Sequence, residues 1–455
     1  EPRTFSPARG GLKQEPHMNT PSGLMSRRRF LELACLTAAG GLSGCAVNPV
    51  TGQSQLMLMS PSQEIQIDKE RSPHQFSADY GTIQDRELSA YIQSTGQRLA
   101  SRTHRPGMPY GFQGVNATYV NAYAFPGGSI AVTRGILLEL DNEAQLAALL
   151  GHELGHVNAR HTASRMTKGV LVSAVMSGAG LALAGEEGYG ALVSGLGGIG
   201  AGALLARYSR DNERQADDLG LEYMVRAGYN PQGMVGLMDM LREKNARKPS
   251  AFEQLFSSHP MSAARYSRMR QEAFSTYKDA LSGPFHRERY MDKTAGLRRI
   301  KPAIEAMQTG QKLMGQRQFP GAEQEFRKAL KIAPNDYAGL VMLSKSLLAQ
   351  QKTAEAERVA AMAADVYPQE AQALHFLGVA RVVRNDFSGA YQAFHAYEKR
   401  LSGNPNTTFL SGLSLEGMGR RQQAAAQYVQ YLNMTGQGRQ AKYAYSRLQQ
   451  WGVVQ

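Results

Sequence analysis

The chain has almost no cysteine. Cys35 and Cys45 are the only two in 455 residues, and both precede the stretch that reads as the mature protein. That excludes a disulfide framework in the mature domains, and a zinc site built on thiolates with it. An aromatic-interleaved basic stripe is also missing. The net charge of +13 and the pI of about 9.6 come from scattered lysines and arginines. No nucleic-acid footprint results, and the charge reads as solubility with a mild preference for anionic surfaces. A convincing membrane span is lacking too. Residues 169–206 are apolar and glycine-rich, but Glu186, Glu187 and the glycines interrupt both halves before either reaches about 20 apolar residues. A mobile lid or a membrane-touching segment is expected there, because glycine density costs chain entropy on ordering.

What is present begins with an address. Residues 1–24 are polar and patternless, a disordered leader or upstream sequence. From Met25 the text changes to Ser26-Arg27-Arg28-Arg29-Phe30-Leu31, a short apolar stretch, then Leu42-Ser43-Gly44-Cys45. A charged region, a short apolar region and small residues before a cut describe an export signal of the twin-arginine type. The last four residues resemble a bacterial lipobox, which implies cleavage before Cys45 and lipidation of its thiol. Ala46 after the cysteine favours the outer membrane of the bacterial envelope, with the body of the protein in the periplasm.

The stretch Leu149-Leu150-Gly151-His152-Glu153-Leu154-Gly155-His156 carries H-E-x-x-H inside an apolar-periodic run from about Asn142 to Arg165. On one helix, at about 100° per residue, positions four apart face the same way. His152 and His156 can then reach one zinc ion (Zn2+), and Glu153 beside them is placed as general base toward water at that ion. An ordinary buried helix with two histidines fits the pentapeptide as well, so a third ligand is needed. Glu213 is the candidate, in Asp211-Asn212-Glu213-Arg214-Gln215-Ala216-Asp217-Asp218, about sixty residues downstream. Glu213 and Asp217 are four apart and share a helix face. Glu213 can bind the ion while Asp217 accepts a hydrogen bond from a ligand histidine. Two histidines and one glutamate leave a position for water, which is a catalytic set rather than a closed structural one. A solvated acidic face is the alternative, and the preceding H-E-x-x-H favours the ligand. His161 lies nine residues after His152, about 180° away on a continuous helix, and is not expected to bind the same ion. Arg160 and His161 are expected to tie the helix to its surroundings.

Upstream, Val120 to Phe125, Pro126-Gly127-Gly128, and Ser129 to Thr133 read as strand, turn, strand. A proline beside a strand favours a sheet edge. Asn121, Ala122, Tyr123, Ala124 and Phe125 can therefore pair with an extended peptide substrate, or can form a plain hairpin; spacing does not separate the two.

Taken together, H-E-L-G-H, E-R-Q-A-D, the run from Asn121 to Gly128, and Ser257-Ser258-His259-Pro260 with Arg265 downstream resemble the gluzincin metallopeptidases that include HtpX and the CAAX prenyl proteases. The resemblance covers most of residues 46–270. It implies one zinc ion on His152, His156 and Glu213, with Glu153 as the base. It implies a loop position for His259 near the metal, as a regulatory fourth ligand or a transition-state donor. Members of the bacterial envelope further imply substrates among unfolded, misassembled or stalled outer-membrane proteins. The twin-arginine and lipobox pattern departs from those relatives, which look Sec-exported and soluble.

Beyond about residue 296 a helical pattern repeats with period 34. Ala322, Ala356, Ala390 and Ala424 fall in register, as do Phe326, Ala360, Phe394 and Tyr428, and Gly310, Ser344, Gly378 and Gly412. This is the tetratricopeptide signature, and such repeats stack into a solenoid with a concave surface for protein segments. By the family resemblance, the array contacts the barrel-assembly machinery or its substrates. The expected fold is mainly α: an α+β peptidase domain with a small sheet at 46–295, then an α-solenoid at 296–455, behind a leader at 1–24 and a signal at 25–45. The expected function is zinc-dependent endopeptidase in envelope quality control, with a chaperone-like adaptor acting through its repeats as the rival.

Overall fold

In the computed structural model the described residues are 45–176, 207–247 and 249–454. The leader, the export signal up to Gly44, and the 177–206 part of the glycine-rich stretch lie outside them. The sequence suggests an extended tether from Asn48 to Ser60. The chain instead forms an antiparallel hairpin of β1 (Cys45–Val47) and β2 (Ser54–Leu56). Ser60 then starts α1 (Pro61–Ala78) with a capping box: its hydroxyl accepts from the Gln63 amide and the Gln63 side chain returns the bond. Tyr80 and Gly81, both at positive φ, turn the chain into α2 (Arg86–Ala100), which Asp85 caps.

A small sheet follows. β3 (Gly111–Val115), β4 (Ala122–Ala124) and β5 (Ser129–Thr133) stand in the order β3-β5-β4. β3 runs parallel to β5, with Gly111 opposite Ser129, and β4 runs antiparallel to it, with Tyr123 opposite Ala131. Glycine is required in the connecting turn. Gly128 sits at φ +110°, and a Cβ on Gly127 would lie 2.5 Å from the Cβ of Asp68. β4 is thus an edge strand, but all three of its side chains are buried.

Helices dominate the rest: α3 (Arg134–Glu139), α4 (Glu143–Asn158), α5 (His161–Met176), α6 (Arg210–Arg226), α7 (Gln232–Arg247), α8 (Pro249–Ser258), α9 (Ala263–Phe274), α10 (Arg287–Lys293) and α11 (Ala295–Arg299). The fold is mainly α, as the sequence predicts. One expectation fails. The run from Asn142 to Arg165 is not one helix, because α4 stops at Asn158 and Arg160 adopts φ +57° before α5 begins at His161. Buried Glu64 enforces the break by accepting from Arg160 Nε at 2.8 Å.

The repeats form the helix pairs α12 (Lys301–Gly315) with α13 (Phe319–Ile332), α14 (Tyr337–Ala349) with α15 (Thr353–Val366), α16 (Gln372–Val383) with α17 (Phe387–Arg400), and α18 (Pro405–Gly417) with α19 (Arg421–Met434), closed by α20 (Arg439–Gln450). The second helices begin at 319, 353, 387 and 421, a strict spacing of 34. The glycine series explains how the pairs approach: a Cβ on Gly310 would lie 2.4 Å from the Phe326 ring, and one on Gly378 2.4 Å from Phe394. The buried core is continuous from Tyr80 to Ala373 and crosses from the sheet-bearing part into the repeats. Arg134 seals that junction, donating to Asp336 at 2.5 and 3.1 Å with both side chains buried.

Candidate metal centre

Everything at this site hangs on α4, which is buried along its whole length. A helix without a solvent face belongs in the middle of a fold. Its start is held by Asn142, which caps the Gln145 amide, and by Glu143, which accepts from Tyr91 Oη at 2.9 Å and Tyr229 Oη at 2.7 Å and pairs with Arg289. Its end is held by Arg105, which donates to the Val157 carbonyl at 3.0 Å. Along one side, small residues let α6 touch it backbone to backbone. A Cβ on Gly151 would lie 2.8 Å from the Gly220 carbonyl oxygen, and one on Gly155 would lie 2.8 Å from that of Ala216. This contact carries Glu213 and Asp217 onto the face that presents His152 and His156.

The result is a cluster of donors. One ligand atom each from His152, His156, Glu213 and His259 lies within 4.8 Å of the others, and all four residues are buried. His152 Nε2 and His156 Nε2 are 3.1 Å apart, and His156 Nε2 is 3.4 Å from Glu213 Oε1. His259, which follows α8 directly, brings Nδ1 to 3.1 Å from Glu213 Oε1 and 3.3 Å from His152 Nε2. Asp217 Oδ1 lies 3.0 Å from His152 Nδ1, leaving Nε2 turned to the cluster. Imidazoles and a carboxylate are the donors a divalent ion of the zinc class takes. Glu153 is beside them, 1% exposed, and neither of its carboxylate oxygens has a hydrogen-bond partner among the described residues. A buried carboxylate without partners is costly unless water or a bound group meets it. Burial pushes the Glu153 carboxyl above the ordinary carboxylate range, against the pull of His259 and His152.

Sequence reasoning gave several contributors no role at the donor cluster. Arg265 places Nη1 2.7 Å from Glu213 Oε2 and Nε 2.7 Å from Asp217 Oδ2, so one guanidinium offsets both Glu213 and Asp217. Only its position after the His-Pro pair pointed to it. Tyr208 stacks on His156 with ring centroids 3.8 Å apart, and no motif marks it. His161 is not remote from the site. The break at Arg160 returns it to the cluster, with Nδ1 2.9 Å from His156 Nδ1 and Nε2 2.9 Å from Gln215 Oε1. Burial pushes its imidazole down to about 4.

Two further surfaces adjoin the cluster. Residues Ala124, Phe125 and Pro126 face His156, Val157 and Thr162 across a small cleft, so the run 121–125 borders the site. The β4–β5 ladder bonds Phe125 to Ser129 and Asn121 to Thr133, and antiparallel alternation then turns the backbone groups of Ala122 and Ala124 away from β5, although both residues are buried. The Asn121 Oδ1 atom is buried and has no partner among the described residues. On the other side, an apolar pocket next to His152, Glu153 and His259 is lined by Leu149, Met234, Met238, Leu255, Phe256 and Met261. Cys45 opens β1. No helix among the described residues is long and apolar enough to cross a membrane.

Comparison with known proteins places this geometry. Residues 86–273 match the model of peptidase family M48, and residues 313–378 match a tetratricopeptide repeat model. The beta-barrel assembly-enhancing protease of Escherichia coli (strain K12) is 31% identical over 232 residues, 50% of this chain and 47% of that protein. The metalloprotease YcaL of the same strain is 31% identical over 171 residues, 37% of this chain and 64% of that one. The mitochondrial metalloendopeptidase OMA1 of Arabidopsis thaliana is 24% identical over 267 residues, covering 57% and 51%. The chain spans about half the length of the first of these relatives. The first matched segment contains α4 and α6, the two helices that carry His152, His156 and Glu213, and the second runs from the end of α12 into α16. Residues 86–273 are therefore a peptidase family M48 domain, and tetratricopeptide repeats follow it.

Proposed function

We propose that this chain is a zinc-dependent endopeptidase of the bacterial cell envelope that cuts misfolded or stalled outer-membrane proteins. The observation that carries the reading is the donor cluster of His152, His156, Glu213 and His259, with the buried carboxylate of Glu153 beside it, 3.8 Å from His259 Nε2 and without a hydrogen bond among the described residues. His152, His156 and Glu213 would hold the ion, and Asp217 orients His152. A bound zinc ion supplies Lewis-acid polarisation of the scissile carbonyl and makes water a nucleophile near neutral pH. Glu153 takes the proton of the attacking water on a carboxylate oxygen and passes it to the leaving amine. His259 stands as a regulatory fourth donor or a transition-state donor. The backbone groups of Ala122 and Ala124 that β5 leaves unpaired are the ones an extended substrate would bond, and the methionine- and leucine-lined pocket takes an apolar side chain next to the cut bond.

The envelope placement rests on residues 25–45. They support twin-arginine export and a lipid on Cys45 that anchors the protein to the outer membrane. The substrate class, and contact of the repeats with the barrel-assembly machinery, rest on the names of the relatives.

Glu153→Gln keeps the ligands and removes the base. Degradation of an unfolded barrel protein by the purified variant is expected to fall by at least ~100-fold, the low end of what a positioned acid–base group contributes. Degradation at the parent rate sinks the enzymatic reading. It leaves the rival, an adaptor whose repeats do the work.

A further inference from the structure

We infer that His161, backed by Gln215, is a positioning residue that fixes the tautomer and ring orientation of His156. The inference rests on reading His156 as a metal ligand and adds what makes it one. His152 and His156 are supported in different ways. His152 hands its Nδ1 side to a carboxylate, Asp217, at 3.0 Å. Among the described residues His156 has no acid on that side; its Nδ1 faces another imidazole nitrogen, His161 Nδ1, at 2.9 Å. Of two nitrogens at that distance, one must carry the proton and the other a lone pair.

Gln215 settles which. Its side-chain carbonyl oxygen lies 2.9 Å from His161 Nε2 and accepts, so the proton of His161 is on Nε2. His161 Nδ1 is then the acceptor, and His156 Nδ1–H donates to it. That leaves a lone pair on His156 Nε2, the atom 3.1 Å from His152 Nε2 and 3.4 Å from Glu213 Oε1. The opposite arrangement would place a proton on His156 Nε2 in the middle of the donors and close it to a metal. The order His156 to His161 to Gln215 therefore leaves the lone pair on the atom that faces the cluster. Both imidazoles are buried, 2% and 3% exposed, so water does not compete for these bonds.

The geometry has a local cause. Gln215 stands between Glu213 and Asp217 on α6, and its side chain meets the first residue of α5. One helix thus supplies the third donor, the partner of His152 and the partner of His156's partner. The turn at Arg160, at φ +57°, is what delivers His161 to this place.

The test is metal affinity of the full chain by chelator competition, together with nitrogen-15 spectra of the zinc-loaded, histidine-labelled protein. His161→Leu is expected to weaken zinc binding by about 10- to 100-fold, the usual loss when such a partner is removed, and to release the His156 Nδ1–H to rapid solvent exchange. His161→Asn, whose side-chain oxygen can replace Nδ1 as acceptor, is expected to recover most of the affinity, which a merely space-filling role would not predict. A folded His161→Leu variant that binds zinc within twofold of the parent and keeps its Nδ1–H signal overturns the inference. If that variant does not fold, Gln215→Leu at its half-buried position takes over, with the same two readouts and the same overturning result. A parent chain that binds no zinc removes the metal-ligand reading and this inference with it.

Discussion

His259 brings a ring nitrogen to 3.1 Å from Glu213 and 3.3 Å from His152, inside the donor set rather than at its rim. A fourth donor in that place competes with water and substrate. His259→Ala is accordingly expected to raise basal peptide hydrolysis by about 10-fold or more, the gain when a blocked state holding ~90% of molecules is removed. Unchanged or lower turnover of a fluorogenic peptide would rule out the blocking role, and a deep loss would favour a transition-state donor. At this scale the sequence was readable only along a single helix face. His152 and His156, or Glu213 and Asp217, are four apart, and helical geometry alone puts each pair on one side. His161 was misplaced because a continuous helix was assumed through Arg160, where the chain turns left-handed. Arg265 and Tyr208 could not be found from spacing, since their contacts exist only after α5, α6 and α9 have packed.

Between elements, the decisive fit is the crossing of α4 and α6. Gly151 and Gly155 meet Ala216 and Gly220, small residues four apart on both helices. That spacing stood in the sequence beside the histidines, but its use appears only when the backbones are seen to touch. A methyl group on Gly155 has nowhere to go, because the backbone atoms of Ala216 cannot rotate away. Gly155→Ala is expected to cost about 1–3 kcal/mol, the range for overpacking a tight core, and to weaken metal binding as Glu213 recedes. Thermal or urea unfolding and chelator competition measure the two effects; a variant with parent stability and parent affinity would show that the crossing is slack. The repeats were legible to a greater depth. Each pair buries its own small and aromatic residues at a fixed period, so the pattern could be read without tertiary knowledge. The small sheet was legible as strand, turn, strand, while the order β3-β5-β4 was not, since pairing partners are not written in alternation.

For the whole molecule, the Arg134–Asp336 pair is the joint to examine. Asp336 also caps α14 through the Gly339 amide at 2.9 Å, so Asp336→Asn removes the charge and keeps the cap. Burial works against ionisation of Asp336, and the Arg134 guanidinium outweighs it, holding the carboxyl below its ordinary value. A depressed carboxylate contributes stability above its unfolded value of about 3.9 and loses it as pH falls through the folded value. Asp336→Asn is therefore expected to cost about 3–5 kcal/mol at pH 7, as for a buried pair with one partner removed. The gap to the parent should narrow once the pH drops below about 4. Denaturant titrations from pH 7 to pH 3 test both, and a gap that stays constant across that range would exclude the charge as its source. The double change Arg134→Met with Asp336→Leu should recover much of the loss.

The core that runs unbroken from Tyr80 to Ala373 has a consequence for how the protein comes into being. Synthesis delivers the peptidase helices first, yet Tyr290, Ile304, Phe326 and Leu340, which complete the same apolar interior, leave the ribosome later. An unfinished chain lacks the cover for its own catalytic half. Arrival of the repeats is thus what completes the interior of the peptidase domain.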